Sequence, residues 1–418
     1  MSAITTALVI TLTVSLAIQA GLTLGYVRKL KRFRSVLPKD TDCQPAVVVL
    51  CLRGGDPFLE RCVAGLMAQD YPKYEACFIV DSTDDPAMAI LKAALAKQSN
   101  SNYRIEVLDK PYETCSLKCS SIIQAFRSLP AETHFVAQLD ADTIPHPTWL
   151  RELAGGLAPD DVGAATGNRW YMPDEPSTAS LVRYVWNAAA IVQMYWYRIA
   201  WGGTLAVKVS SVREAGLLDR WQLALCEDTM LFQQLKGIKQ RVAFVPSLMM
   251  VNREDCDLKS FVPWVARQLL TVRLYHPSWL AVVGHGISSA AVLLWGWGWA
   301  ITASALGRVT DGLVSLAAMT LFQLTLTAIV PWIASAVEHI VRLRSESTQW
   351  QKPGFFRLLM IVTATQWIYT RSLLLCMSLR RVDWRGIHYR VDGAWKLHME
   401  AYRPYASRAE QSDKQHSL

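Results

Sequence analysis

No polar rhythm interrupts residues 3–27: AITTALVITLTVSLAIQAGLTLGYV carries no charged side chain, and the basic string RKLKRFR follows directly. A chargeless run of that length can cross a bilayer as a helix, and the basic residues behind it predict that the following chain is cytosolic. A secretory signal would carry its basic residues before a shorter apolar core, so residues 1–27 read as an anchor. Comparable runs return near residue 279. WLAVVGHGISSAAVLLWGWGWAITASAL and LVSLAAMTLFQLTLTAIVPWIASAV are divided by GRVTDG, which predicts a transmembrane hairpin over 279–336. The next run, FFRLLMIVTATQWIYTRSLLLCMSLRR, holds Arg357 and Arg371 between basic flanks. Residues 337–398 are therefore expected to be interfacial or membrane-embedded, with a crossing at 356–379 open against a re-entrant hairpin. The polar stretch SRAEQSDKQHSL marks 399–418 as a flexible tail.

Residues 28–260 show different periods. AVVVLCLRG is a β-branched run ending in glycines, as in a strand buried on both faces of a parallel sheet. DPFLERCVAGLMAQD then has apolar residues at helical spacing behind Asp56 as cap and Pro57 in the first turn. YEACFIV, YRIEVLD and THFVAQLD read as strands, alternating with helices in DSTDDPAMAILKAALAK and CSLKCSSIIQAFRSL. That alternation predicts an α/β domain of the Rossmann-like, doubly wound kind with a mainly parallel sheet. FVPWVARQLLTVRLYHPSWLAVV predicts an amphipathic interfacial helix over 261–278 that runs into the hairpin.

With 51% hydrophobic residues and 16 Trp in 418, the chain is too apolar for an ordinary soluble enzyme; with 19% charged residues it is too polar for a bare membrane bundle. The net charge of +8 gathers beside the apolar runs, which suits an anionic membrane face; no basic stripe or nucleic-acid motif accompanies it, so nucleic acid is not an expected partner. Nine cysteines without C-x-x-C spacing fit reduced thiols better than a zinc site or a disulfide framework.

In such sheets ligands bind at the carboxyl ends of strands, and the acidic residues collect there. Asp81, Asp84 and Asp85 follow the second strand; Asp140 and Asp142, in QLDADTIPHP, follow the fourth. Residues two apart on a strand face the same way, so the D-x-D pair repels itself unless a cation lies between. An isolated D-x-D is equally served by a solvated turn. A nucleoside diphosphate would give both groups work: a carboxylate for base or ribose, and a divalent cation on the pair to neutralise the leaving diphosphate. Lys118, at a helix start in SLKCSS, is a candidate phosphate or donor contact, with a solvated helix lysine as its alternative. Glu227 and Asp228, in WQLALCEDTMLFQQLK, are expected at the head of a helix, where acids also favour the dipole. Arg267 and Arg273 could reach a diphosphate. Residues 183–203, RYVWNAAAIVQMYWYRIAWGG, are rich in Trp and Tyr and suit either a membrane-side entrance or a core helix.

Taken in order, RGGDPFLERCVAGLMAQDYPKYE, DDPAM, LDADTI, GGTLAVK, CEDTML and DWRGIHYRV resemble the family 2, GT-A-fold glycosyltransferases, and within them the ceramide glucosyltransferases. The resemblance implies a UDP-sugar donor, a ceramide-like lipid acceptor, a divalent cation (Mg²⁺ or Mn²⁺), and a membrane-integral enzyme whose catalytic domain, 28–260, faces the cytosol. It puts Asp84 and Asp85 near the nucleotide, with Asp81, Lys118, Arg267 and Glu227 also on the donor side. Asp140 and Asp142 become the metal pair, and Asp228 the general base of an inverting transfer of one sugar, glucose being the expected one. The family's last motif, Gln or Arg, two residues, then Arg-Trp, falls on WVARQ: Arg267 is kept, but Trp264 and Gln268 replace its outer positions. That departure bears on acceptor and fine donor specificity. A processive polysaccharide synthase, or transfer to diacylglycerol or a sterol, stays open as an alternative.

Overall fold

In β1 (Ala46–Leu52) successive side chains enter two separate cores. Val47 and Val49 pack with Cys77, Ile79 and Val136; Val48 and Leu50 pack with Phe78 and Ala137. A strand buried on both faces must lie inside a sheet covered by helices, which the unbroken apolar run predicted. The computed structural model describes residues 1–34, 37–344 and 346–405. Its main sheet has the order β3-β2-β1-β4-β6-β5-β7, with β2 (Tyr74–Val80), β3 (Tyr103–Val107), β4 (Phe135–Leu139), β5 (Val162–Tyr171), β6 (Thr204–Lys208) and β7 (Arg241–Asn252). β1 pairs in parallel with β2 and β4, as β2 does with β3 and β5 with β7; β6 runs antiparallel to β4 and β5. The domain is thus α/β with a mainly parallel sheet, as the alternation predicts.

After α1 (Ala3–Arg32), the sheet is covered by α2 (Leu59–Met67), α3 (Pro86–Leu95), α4 (Leu117–Arg127) and α5 (Trp149–Leu157). Ser116 caps α4 by accepting from Cys119 N, which fixes where Lys118 leaves the helix. α6 (Thr178–Tyr197) lies against the apolar helices: Trp196 Nε1 donates to Leu22 O at 3.0 Å, and Tyr195 packs tilted against Tyr26. α7 (Val209–Glu214), α8 (Leu217–Trp221) and α9 (Leu231–Gly237) follow. Glu227 and Asp228 therefore stand in the turn before α9 and not in its first turn. Asp228 O accepts from Leu231 N at 3.0 Å, so the pair leads into the helix from outside it.

The interfacial segment is α10 (Leu258–Tyr275), three residues earlier at each end than the pattern predicts, because Asp257 caps its start and His276-Pro277 follow its end. α11 (Trp279–Ala305) and α12 (Val309–Leu343) form the predicted hairpin, closed at Gly307 with φ +73°. α13 (Phe355–Ser378) is one continuous helix. Among the described residues α1, α11, α12 and α13 are long and apolar enough to cross a membrane. Leu280, Ile301, Phe356 and Met360 stay exposed on them, as lipid-facing side chains do.

Beyond α13 the structure departs from expectation. Residues 381–401, which the pattern placed in a membrane-associated segment ending at 398 and a tail from 399, form a second sheet of β8 (Arg381–Trp384), β9 (Ile387–Gly393) and β10 (Lys396–Ala401). Its strands alternate buried and exposed, with Val382, Ile387, Tyr389, Val391, Leu397 and Met399 turned inward onto the α/β domain. The part of the expected tail from 406 on lies outside the described residues. Arg385 and Gly386, at φ +50° and +76°, make the two-residue turn between β8 and β9.

Candidate active site

Asp140 follows directly on β4, and the turn there carries Asp142. Lys118, from the first turn of α4, reaches between Asp140 Oδ1 at 2.7 Å and Glu227 Oε1 at 2.8 Å. Arg169, at the end of β5, puts one nitrogen 3.6 Å from Asp140 Oδ2 and 3.3 Å from Asp142 Oδ2. Its guanidinium is held over the Trp201 ring at 4.8 Å, while Nη1 donates to Tyr171 OH. The D-x-D pair thus does face one cation, and here that cation belongs to the chain.

Asp228 is fixed at both oxygens. Oδ2 accepts from Gly202 N at 2.8 Å, and Oδ1 accepts from Thr229 N and Thr229 Oγ1 at 2.6 and 3.0 Å. Gly202 and Gly203 are required by this closeness: a Cβ on Gly202 would lie 2.1 Å from Glu227 Oε1, and one on Gly203 2.8 Å from Asp140 Oδ2. On the facing wall Arg267 stacks on Trp384 at 4.8 Å, and Arg385 donates to Arg53 O and to Asp56.

These groups line one cavity of about 670 Å³. Burial pushes the Glu227 carboxyl up to about 7, with Lys118 opposing and Asp228 adding to the rise. For Lys118 burial acts downward, but Asp140 and Glu227 together hold it well above the usual lysine range. Burial would likewise raise Asp140, yet Lys118 and then Arg169 bring it below the usual carboxylate range, whereas burial keeps Asp142 above it. Arg267 is lowered to about 10 by burial and by Arg385. A strongly perturbed group beside an opposite charge in a cleft marks a candidate functional site.

Of the residues singled out in the sequence, Asp81, Lys118, Asp140, Asp142, Glu227, Asp228 and Arg267 meet at this cavity, with Trp264 and Gln268. Asp84 and Asp85 are not brought there. Asp85 caps α3 and accepts from Gly54 N and Ala87 N, and Asp84 is exposed beside it. Asp81 is already engaged by Arg53, Tyr402 and the Tyr405 amide. Arg273 donates to the carbonyls at the end of α13 and cannot reach a diphosphate from there. Arg169 and Arg385 are additions. Arg385 belongs to DWRGIHYRV, a stretch already conspicuous; Arg169 carries no local signal beyond lying two residues after Gly167 near a strand end.

The cavity does not end in the α/β domain. Gln19, Gln193, His285, Val292, Phe322 and Ile329 line its far part, from α1, α6, α11 and α12. Two hard oxygen donors converging on one cationic nitrogen fit Mg²⁺ or Mn²⁺ and not a softer metal. Among the described residues no group of three or more His, Cys, Asp or Glu could hold an ion, so the rest of the coordination would come from water and the ligand.

A family model described as Glycosyl transferase family 21 matches residues 8–396. A ceramide glucosyltransferase of Komagataella phaffii (strain GS115 / ATCC 20864) is 29% identical over 83 residues, 19% of this chain and 16% of that protein's length. Among solved structures, the mannosyltransferase PcManGT from Pyrobaculum calidifontis in complex with GDP-Man and Mn²⁺ is 17% identical with a TM-score of 0.47, covering 89% of this chain and 98% of that one. Glucosyl-3-phosphoglycerate synthase from Mycobacterium tuberculosis, with Mn²⁺, UDP-glucose and glycerol 3-phosphate, is 13% identical with a TM-score of 0.38, covering 58% of this chain and 85% of that one.

Proposed function

The chain belongs to glycosyl transferase family 21, and from that membership we propose that it moves one sugar, glucose, from a UDP-sugar to the hydroxyl of a membrane lipid of the ceramide kind. The observation that carries this reading is the continuity of the cavity, which joins the acids of the α/β domain to side chains of the apolar helices. A lipid can keep its chains in hydrocarbon while its headgroup hydroxyl enters the polar end.

Asp228 is the general base. Oδ1 is taken up by the two hydrogen bonds from Thr229, whereas Oδ2 accepts only from Gly202 N and retains a lone pair, so the carboxylate is oriented without being used up. It takes the proton of the acceptor hydroxyl as that oxygen attacks the anomeric carbon, and the bond from that carbon to the diphosphate breaks with inversion. Asp140 and Asp142 would hold a divalent cation, which when bound stabilises the charge on the leaving diphosphate. Lys118 beside the acids and Arg267 and Arg385 on the facing wall supply cations to the same cavity, and Lys118 keeps Glu227 and Asp140 in place. Asp81 serves the nucleoside end, after exchanging Arg53 or the Tyr405 amide for the ligand. Basic residues at the end of α1, Lys29, Lys31 and Arg32, support a cytosolic catalytic domain.

The test is a product assay. Detergent-purified protein is given Mn²⁺ or Mg²⁺, UDP- and GDP-sugars, and ceramide, diacylglycerol or sterol, with products read by mass spectrometry. A single-hexose ceramide, absent with chelator, is expected. A ladder of polymer lengths, or hexosyl glycerolipid with ceramide ignored, overturns the acceptor.

A further inference from the structure

Three polar side chains from three separate helices meet in the far part of the cavity. Gln19 of α1 reaches His285 Nε2, and Gln193 of α6 lies 3.1 Å from His285 Nδ1 on α11. All three line the cavity and are half-buried. His285 stands six residues into α11, roughly 9 Å along the helix from its start. Seven residues farther on, about 10 Å deeper, Val292 lines the same space with Phe322. The cluster therefore lies between the reactive acids and the apolar end. Polar side chains inside a membrane segment are costly to keep and mark functional positions.

A neutral imidazole has one donor and one acceptor nitrogen. It can accept from one glutamine amide only, so the other glutamine must turn its carbonyl to the ring N–H. The first glutamine is left with a free carbonyl, the second with a free NH₂. Whichever tautomer forms, the cluster offers the cavity both an acceptor and donors at one depth. A secondary amide, with its own N–H and C=O, answers both; an ester has no donor and leaves the carbonyl unmatched where no water replaces it.

We propose that Gln19, Gln193 and His285 are the residues that select the acceptor, by hydrogen bonding an amide in the lipid backbone just below the reacting hydroxyl. The assignment rests on the lipid-glycosyltransferase reading above and adds the side chains that would discriminate among lipids.

The test uses the full chain in nanodiscs, with an N-acyl amino-alcohol lipid and a diacylglycerol of the same acyl length. Gln193→Leu, Gln19→Leu and His285→Ala are compared with wild type for transfer and for equilibrium binding of each lipid without donor. The wild type is expected to prefer the amide lipid. The glutamine variants should lose about tenfold of that preference in kcat/KM and in binding, with the KM for the sugar nucleotide unchanged. Variants that lower both lipids equally, or leave the ratio untouched, overturn the assignment. Cluster-dependent binding of the amide lipid without any transfer would uphold it and overturn the proposed reaction instead.

Discussion

Replacing Lys118 with methionine tests the electrostatic frame of the site. The ammonium lies 2.7 Å from Asp140 and 2.8 Å from Glu227, whose side chain is 2% exposed. Removing one partner of a buried ion pair costs about 3–5 kcal/mol while the other stays charged. Asp140 adds less, because its side chain is 29% exposed and keeps Arg169 at 3.6 Å. Glu227 can escape part of the cost by taking up a proton. Burial already holds it near about 7 against an ordinary 4.5, with Lys118 pulling the other way. A carboxylate raised on folding binds more protons folded than unfolded, so its contribution to stability is full below the unfolded value and is lost as pH rises through the folded one. In wild type that window closes near pH 7. Without Lys118 it extends upward, each further pH unit costing about 1.4 kcal/mol. Lys118→Met should therefore fall behind wild type more at about pH 8.5 than at about pH 6, read as the melting temperature of detergent-solubilised protein by tryptophan fluorescence. Adding Glu227→Gln should recover much of the deficit at the higher pH. Equal deficits at both pH values, or a double variant no more stable than Lys118→Met, would refute the reasoning.

Asp228→Asn should lower transfer by roughly 10²–10⁴-fold while leaving melting and sugar-nucleotide KM near wild type, as loss of a general base does; lowered binding of the donor would assign the residue elsewhere. Arg169→Ala removes the cation between Asp140 and Asp142, so Mn²⁺ should bind about tenfold more tightly, seen as a larger metal-induced melting shift, and a smaller shift would show that Arg169 assists the ion. Gly203→Ala places a Cβ 2.2 Å from the Trp201 ring and 2.8 Å from Asp140 Oδ2; a loss of about 1–3 kcal/mol with reduced transfer is expected in melting and activity assays.

Elements that declare themselves by local period were legible in the sequence. β1 is an unbroken apolar run and β2 is broken only by Glu75, α1 and the α11–α12 hairpin hold long chargeless stretches, and Asp140 and Asp142 follow a strand where ligands collect. Pairing direction was not legible: β6 lies antiparallel between β4 and β5 because of the path the intervening chain takes, which no residue pattern records. Asp84 and Asp85 lie away from the cavity because an aspartate before proline at a strand end serves equally as ligand or helix cap, and here backbone amides claim Asp85. Arg169 and Arg385 escaped for the opposite reason. Each acquires its place by tertiary contact with residues distant in the chain. β8–β10 do carry a period-two pattern, but they are short and follow directly on an apolar helix whose composition dominates the region.

The two ends of the cavity divide the chemistry. Asp81, Asp140, Asp142, Glu227 and Asp228 face Arg53, Lys118, Arg169, Arg267 and Arg385, five acids against five cations lining the same space. With formal charges balanced before any ligand arrives, a bare nucleoside diphosphate would bring an unopposed surplus of negative charge, whereas one accompanied by a divalent cation brings much less. The polar end is thus matched to a metal–diphosphate unit arriving from water, in the proposed function. The far end, between α1, α6, α11, α12 and α13, mixes apolar side chains such as Val292, Phe322 and Ile329 with polar ones, Gln19, Gln193, His285 and Gln366 among them, and in the proposed function it would take the lipid. In that reading, donor and acceptor occupy different ends of one cavity. Asp228, tied to Gly202 and Thr229 where the two regions meet, stands where a hydroxyl from one side can be turned toward a sugar from the other.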